Sequence, residues 1–371
     1  MTMRKVLLLG AGKIGSLITT MLAESGGYEV HVGSLESDEL KKLVAELALP
    51  HVTVFPLDAQ DEQALDKIMG GHNGDRKFDT VISGLPYYCN ALVADLAAKH
   101  GLNYFDLTED VGVTRHVQNV SKGAKTVFMP QCGLAPGFIS IVANDLMKKF
   151  ELVDMVKMRV GALPVNPNNA LKYSLTWSTD GLINEYGNTC YGIENGEFVA
   201  LQPLEGHETI TLDGVLYEAF NTSGGLGTLC ETYDGLVRTM DYKTMRYPGH
   251  CRDIKLLMNE LRLNEDRATL KRILERAVPK TLQDVVLVYV AVAGKRKGQF
   301  MEENYLKKVY PQELAGKLWS SIQVTTAAGI CSAMDIVLAG GERFHGFVAQ
   351  ESISLAAVTS NRFGKYYAGE E

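Results

Sequence analysis

Along the first third of the chain, short strand-like segments alternate with longer stretches whose apolar residues recur at helical spacing. Segments 5–9, 29–32, 52–57, 80–83, 104–107 and 126–129 read as strands, the first of them buried, and segments 14–25, 38–47, 62–69 and 87–100 as helices. Strands that alternate with helices predict an α/β fold with a doubly wound parallel sheet and right-handed crossovers. The stretch 71–74, with His72 and Asn73, reads as a loop. Beyond Gly133 the texture changes. Strand-like runs at 153–163, 171–177, 197–201, 207–212 and 285–293 are interrupted by helical segments at 179–186, 250–261 and 267–277. That mixture predicts an α+β region on an open sheet. From 319 to 338 helical spacing returns, and this helix is expected to pack back on the first domain.

The junction of the first strand and first helix carries chemistry. Gly10-Ala11-Gly12-Lys13-Ile14-Gly15 follows the strand directly and opens an amphipathic helix. The first glycine permits a tight turn, the second lets backbone approach a diphosphate, and the third allows close helix–strand packing. The diphosphate then rests on the free N–H groups of the helix start, around Lys13 and Ile14. With a βαβ pattern behind it, this is a dinucleotide site of the Rossmann kind. The second strand ends in Gly33-Ser34, where an NAD enzyme usually carries an acid, and no arginine stands adjacent to grip a 2′-phosphate. NAD and NADP therefore both remain open. Asp58, after the third strand, is a candidate for the adenine edge, or a cap for the helix near Asp61. Ser83-Gly84-Leu85-Pro86 ends the fourth strand, where the nicotinamide ribose usually lies.

Composition narrows the picture. At 371 residues the chain exceeds the size of a single core, so two lobes are expected. The net charge of −7 is mixed along the chain, without the clustered basic face that nucleic acid or a membrane surface would require. No apolar run approaches the ~20 residues of a membrane helix. The six cysteines lack any C-x-x-C pair and fit free thiols in a reducing, cytoplasmic setting. The histidines show no metal-ligand spacing, so no metal is expected.

Several blocks, in order along almost the whole chain, resemble the saccharopine dehydrogenase family and its lysine 6-dehydrogenase branch. They are Gly10–Gly15, the Gly84-Leu85-Pro86-Tyr87-Tyr88-Cys89-Asn90-Ala91 block, Tyr104-Phe105-Asp106-Leu107 and Gly133-Leu134-Ala135-Pro136-Gly137. In the second lobe stand the blocks 177–183 and 218–225. The most particular is Asp241-Tyr242-Lys243-Thr244-Met245-Arg246-Tyr247-Pro248-Gly249-His250. The resemblance implies a Rossmann domain over 1–135, an α+β substrate-binding and dimerisation domain over 136–320, and a C-terminal helix and tail over 321–371. It further implies a homodimer with the active site between the domains, and oxidation of a C–N bond of an amino acid with hydride passing to nicotinamide.

Such chemistry needs a neutral amine, hence a base, and a fixed grip on the amino-acid carboxylate. Arg246 is the candidate clamp, because its planar fork matches a carboxylate; a structural ion pair is the other reading. His250 is the candidate base, since imidazole titrates near neutrality, with a packing or capping role as the alternative. Lys243 serves instead if desolvation lowers its pKa. Glu109 and Asp110, after the fifth strand, are placed to meet an ammonium group. Asp106 reads as structural, and Asp180 and Glu185 as a solvated helix face. Tyr87 lines a nicotinamide pocket or simply packs. Thr222 and Ser223, before Gly224-Gly225, offer hydroxyls and N–H groups to an anion, or form a plain turn. The expected reaction is oxidation at the ε carbon of a lysine-like amino acid. Saccharopine oxidation, a carboxynorspermidine-type reaction and a non-catalytic cofactor sensor are the alternatives.

Overall fold

The computed structural model describes residues 3–71 and 78–368; the predicted loop around His72 and Asn73 lies outside the described residues. The chain divides into two compact units. One comprises 1–133, 313–319 and 323–371, the other 134–312 and 320–322.

The first unit is a parallel sheet. Its strands are β1 (Arg4–Leu9), β2 (Tyr28–Ser34), β3 (Val52–Pro56), β4 (Thr80–Ser83), β5 (Asn103–Asp106) and β6 (Val127–Met129). The spatial order, starting from an edge strand at Gly346–Phe347, is β6-β5-β4-β1-β2-β3, every pair parallel. The order reverses between β1 and β4, and α/β sheets bind ligands at the carboxyl ends beside such a reversal. Helices α1 (Lys13–Glu24), α2 (Asp38–Glu46), α3 (Glu62–Gly70), α4 (Asn90–His100) and α5 (Val111–Val120) make the crossovers. The last four residues of β1, Val6 to Leu9, are fully buried, which explains their unbroken apolar run.

The second unit opens with α6 (Phe138–Met147), then β7 (Leu152–Pro164), α7 (Thr179–Gly187) and β8 (Cys190–Glu194). β9 (Glu197–Leu201), β10 (Glu208–Leu212), β11 (Val215–Asn221), α8 (Leu229–Thr232) and β12 (Val237–Arg246) follow. The unit continues with α9 (His250–Lys255), α10 (Arg267–Ala277), β13 (Asp284–Arg296) and β14 (Gln299–Val309). Its sheet runs β10-β11-β12-β7-β13-β14, with the β8–β9 hairpin attached to β12. Only β12 and β7 pair in parallel; the other neighbours are antiparallel. A helical layer of α7, α9 and α10 shares a core with Tyr173, Leu175 and Phe220. The strand expected at 171–177 does not form. Lys172 takes a left-handed φ of +50° and Leu175 bonds to Pro279 instead of to a ladder.

The long helix α11 (Ser321–Ala339) corrects one expectation, because its 19 residues are long and apolar enough to cross a membrane by length and composition. Here 78% of that stretch is buried inside the protein. Its small residues explain the close packing: a Cβ on Gly329 would fall 2.7 Å from the Gly133 carbonyl. Within the first unit, Gln323 on this helix donates to the Lys13 carbonyl. All six cysteines are free and buried.

Candidate functional site

The glycine turn of the first unit is built for an anion. Gly10 holds φ +100°, and a Cβ there would meet the Gly84 carbonyl at 3.0 Å. A Cβ on Gly15 would fall 2.0 Å from the Gly10 carbonyl, so helix and turn touch directly. At Gly12 an added Cβ would meet nothing within 4 Å. Helix α1 starts there with no side-chain cap and no acid in its first turn. Its exposed N–H groups and positive dipole end are thus left for a ligand, as a diphosphate requires. Ser34 ends β2, half-buried; Asp58 is exposed and accepts from Gln60 N at 2.9 Å. The cap of α3 is Asp61, not Asp58. Ser83 is fully buried and donates to Asn90, tying the end of β4 to α4. Gly84 and Pro86 lead into the turn at Tyr87–Cys89, where the Tyr87 ring meets that of Tyr88 edge-on. Glu109 is half-buried beyond β5, and Asp110 caps α5.

Asp106, at the end of β5, is fully buried. It accepts from the Tyr104 hydroxyl and from Thr108 and Gln131 N–H groups at 2.6–2.9 Å. Burial raises its pKa to about 6, against the pull of those three bonds. A folded pKa above the ordinary 3.8 means that the contribution of Asp106 to stability is fully present below pH ~4 and is lost as pH rises through about 6. Asp106→Asn keeps an acceptor for the two N–H groups, while the Tyr104 hydroxyl accepts from the new amide. Denaturant unfolding should therefore show this variant gaining on the native protein by about 3 kcal/mol between pH 4 and 7. Parallel pH dependences would mean that Asp106 does not titrate there.

In the second unit, β12 divides the expected catalytic block. Side chains alternate across a strand, so Lys243 and Arg246 lie on opposite faces. Lys243 joins Arg159, Glu208 and Asp241. Arg159 grips Asp241 with two bonds of 3.0 Å and also donates to Glu208, whose other oxygen takes Lys243 at 3.0 Å. Burial would raise the Glu208 pKa, but Arg159 and Lys243 outweigh it and hold the carboxyl below its ordinary range. Two cations face two anions. This arrangement leaves the Lys243 ammonium paired, contrary to its expected part as a base.

Arg246 and His250 do come together, through Tyr186 on α7. Arg246 Nε donates to the Tyr186 oxygen at 2.9 Å, and that hydroxyl meets His250 Nε2 at 3.0 Å. His250 Nδ1 lies 2.7 Å from the Leu171 carbonyl. The guanidinium stands 4.9 Å from the Tyr173 ring centre, and its Nη1 donates to Met245 O. Nη2 makes no hydrogen bond among the described residues. His250 is 1% exposed, with Phe220 stacked on it. Burial first, then the Arg246 charge, pushes its pKa down to about 3, against the Leu171 bond. A buried ring with both nitrogens engaged does not match the general base expected at this position.

Local structure explains the placement. Gly249 takes φ +101° after Tyr247 and Pro248, turning the chain into α9. The buried Glu218 on β11, opposite Arg246 in register, accepts from Gly249 N and Cys251 N and fixes that turn. Thr222 and Ser223 follow β11. Ser223 clamps the end of α7 through the Asn184 and Glu185 carbonyls. The Thr222 hydroxyl is buried and has no hydrogen-bond partner among the described residues. Lys172 donates to Pro248 O. Glu185, expected on a solvated face, is buried and acts electrostatically on Arg246, Tyr173 and Tyr242. Asp180 is the partly exposed one, paired with Lys271 at 2.6 Å. Tyr186 and Tyr173 carry no polar sequence signal that would have marked them out. Among the described residues no cluster of His, Cys, Asp and Glu is arranged to hold a metal.

Comparison with known proteins adds a family context. Residues 6–128 match the model described as the saccharopine dehydrogenase NADP binding domain, and 133–360 that of the saccharopine dehydrogenase C-terminal domain. The Schizosaccharomyces pombe saccharopine dehydrogenase [NADP(+), L-glutamate-forming] is 25% identical over 213 residues, 56% of this chain and 46% of that protein. The mitochondrial alpha-aminoadipic semialdehyde synthase of Bos taurus is 21% identical over 326 residues, 83% of this chain and 33% of that protein. The chain thus spans half or less of the curated relatives it matches. The apo histidine-tagged saccharopine dehydrogenase (L-Glu forming) from Saccharomyces cerevisiae shares the fold. Its TM-score is 0.74 at 17% identity, covering 96% of this chain and 95% of that one.

Proposed function

Because the chain belongs to the saccharopine dehydrogenase family, we propose that it is an NAD(P)-dependent amino-acid dehydrogenase. Its reaction in this reading oxidises the C–N bond at the ε carbon of a lysine-like amino acid to an imine, which water hydrolyses to a semialdehyde and ammonia. The observation that carries this reading is Arg246, a buried guanidinium with its outer nitrogen left for a carboxylate. The Thr222 hydroxyl, buried and without a hydrogen-bond partner among the described residues, offers a second polar group after β11.

The Gly10–Gly15 turn holds the dinucleotide, which when bound supplies the hydride acceptor. Arg246 grips the carboxylate and Tyr186 orients Arg246. The amine must be neutral before hydride leaves it. His250 and Lys243 are both engaged elsewhere, so the substrate gives its proton to solvent. kcat/KM for lysine is then expected to climb with pH toward the amine pKa of about 10.4. Initial rates from pH 6 to 11 check this, and an inflection near 6.5 would instead assign the base to a histidine.

A second reading, oxidation of saccharopine, is favoured by the names of the relatives. That substrate brings two further carboxylates. Arg159 and Lys243 are held by Glu208 and Asp241, which favours the smaller substrate. Nicotinamide reduction with L-lysine or saccharopine, each with NAD and NADP, separates the two. Reduction with saccharopine alone would move the assignment to the glutaryl adduct, and silence with both would overturn the reading.

A further inference from the structure

We propose that His250 is a positioning residue: as the neutral Nδ1–H tautomer it directs the Tyr186 hydroxyl, whose oxygen then holds Arg246 toward the substrate carboxylate. This rests on Arg246 being the clamp.

The direction of every bond follows from donor and acceptor inventory. The Leu171 carbonyl only accepts, so the Nδ1 atom 2.7 Å away carries the ring proton. In a neutral ring Nε2 is then a lone pair, and the Tyr186 hydroxyl 3.0 Å away must donate to it. With its proton so committed, the Tyr186 oxygen presents a lone pair to Arg246 Nε at 2.9 Å. Each link has one consistent direction. A second ring proton would set Nε2–H against the hydroxyl beside a buried guanidinium; the groups facing the ring include Arg246, Tyr186 and Tyr173. The low pKa agrees with this exclusion. Imidazole suits the task because its two nitrogens span the 171 segment and α7, while its backbone belongs to α9. Three segments thereby share control of one side chain.

The test is a mutant cycle of His250→Phe, Tyr186→Phe and the double variant, in the full chain with saturating cofactor. The amino-acid KM is expected to rise about 10-fold in each single variant, with kcat within about 3-fold and cofactor KM unchanged. The double variant should lose no more than either single one, because both break the same chain. The pH limbs of kcat/KM should stay in place. Should His250→Phe fail to fold, Tyr186→Phe still carries the KM-against-kcat split. With 15N-labelled histidine, the resonance missing in His250→Phe should keep the neutral Nδ1–H pattern from pH 5 to 9. A ring that titrates in that range, additive losses, or a kcat collapse that removes a pH limb would overturn the proposal. If the native chain turns over neither lysine nor saccharopine, the functional reading fails, and the nitrogen spectrum still decides the tautomer.

Discussion

Arg246→Lys lowers kcat/KM for the amino acid about 10²-fold and leaves cofactor affinity unchanged. The native guanidinium serves the Tyr186 oxygen through Nε and the Met245 carbonyl through Nη1, with Nη2 making no hydrogen bond among the described residues. An ammonium is a single point of charge on a flexible stem and cannot hold all three directions at once. Loss of one charge-assisted bond in a buried setting costs about 3 kcal/mol, hence the predicted factor. Arg246→Met goes further, since it also removes the buried donor to the Tyr186 oxygen and the Met245 carbonyl, and should lower folding stability by about 3 kcal/mol. Steady-state kinetics and calorimetric titration with substrate read the first effect, and denaturant unfolding the second. An unchanged KM in Arg246→Lys would place the carboxylate elsewhere.

The second large effect is expected at the glycine turn. Gly12 has φ −70°, which any residue can adopt, and open space where its Cβ would stand. Gly12→Asp should therefore fold with a melting temperature within about 2 °C of the native protein, aspartate being a favoured residue at a helix start. Its carboxylate would occupy and repel the diphosphate position, weakening NADPH binding by about 10²-fold or more. Fluorescence titration with NADPH beside a thermal melt separates the two quantities. Native-like affinity in this variant would mean that the diphosphate does not lie at α1. Gly15→Ala is the contrast: its Cβ has no room against the Gly10 carbonyl, so folding and binding should fall together.

How much could be read from sequence depended on whether a residue's partners were near in the chain. The inner strands β1 and β4 were legible because both faces are covered and the apolar runs are nearly continuous, while β2 and β3, toward and at the sheet edge, showed as short β-branched stretches. Strand β12 was not, because Asp241, Lys243 and Arg246 interrupt its apolar pattern. Their partners, Arg159, Glu208 and Tyr186, come from other strands and a helix, beyond any local period. Glu185 looked solvated because a helix face is judged by its own neighbours, whereas Tyr242 and Arg246 reach it from another element. His250 could be singled out by residue type. What fixes its chemistry, the Leu171 carbonyl and Tyr186, lies 79 and 64 positions away. Lys172, in turn, defeated an apolar strand pattern through one backbone angle that composition does not disclose.

The first unit is made of both ends of the chain, and this has a consequence for synthesis on the ribosome. Residues 1–133 emerge early, but the Gly346–Phe347 strand beside β6 and most of α11 arrive only after the whole second unit has been translated. Until then the nascent N-terminal sheet must wait with its β6 edge unpaired and apolar surface bare, a state that invites chaperone capture or aggregation. A premature stop near residue 320 would thus spare nearly all of the second unit's sequence and still leave the dinucleotide-binding one unfinished.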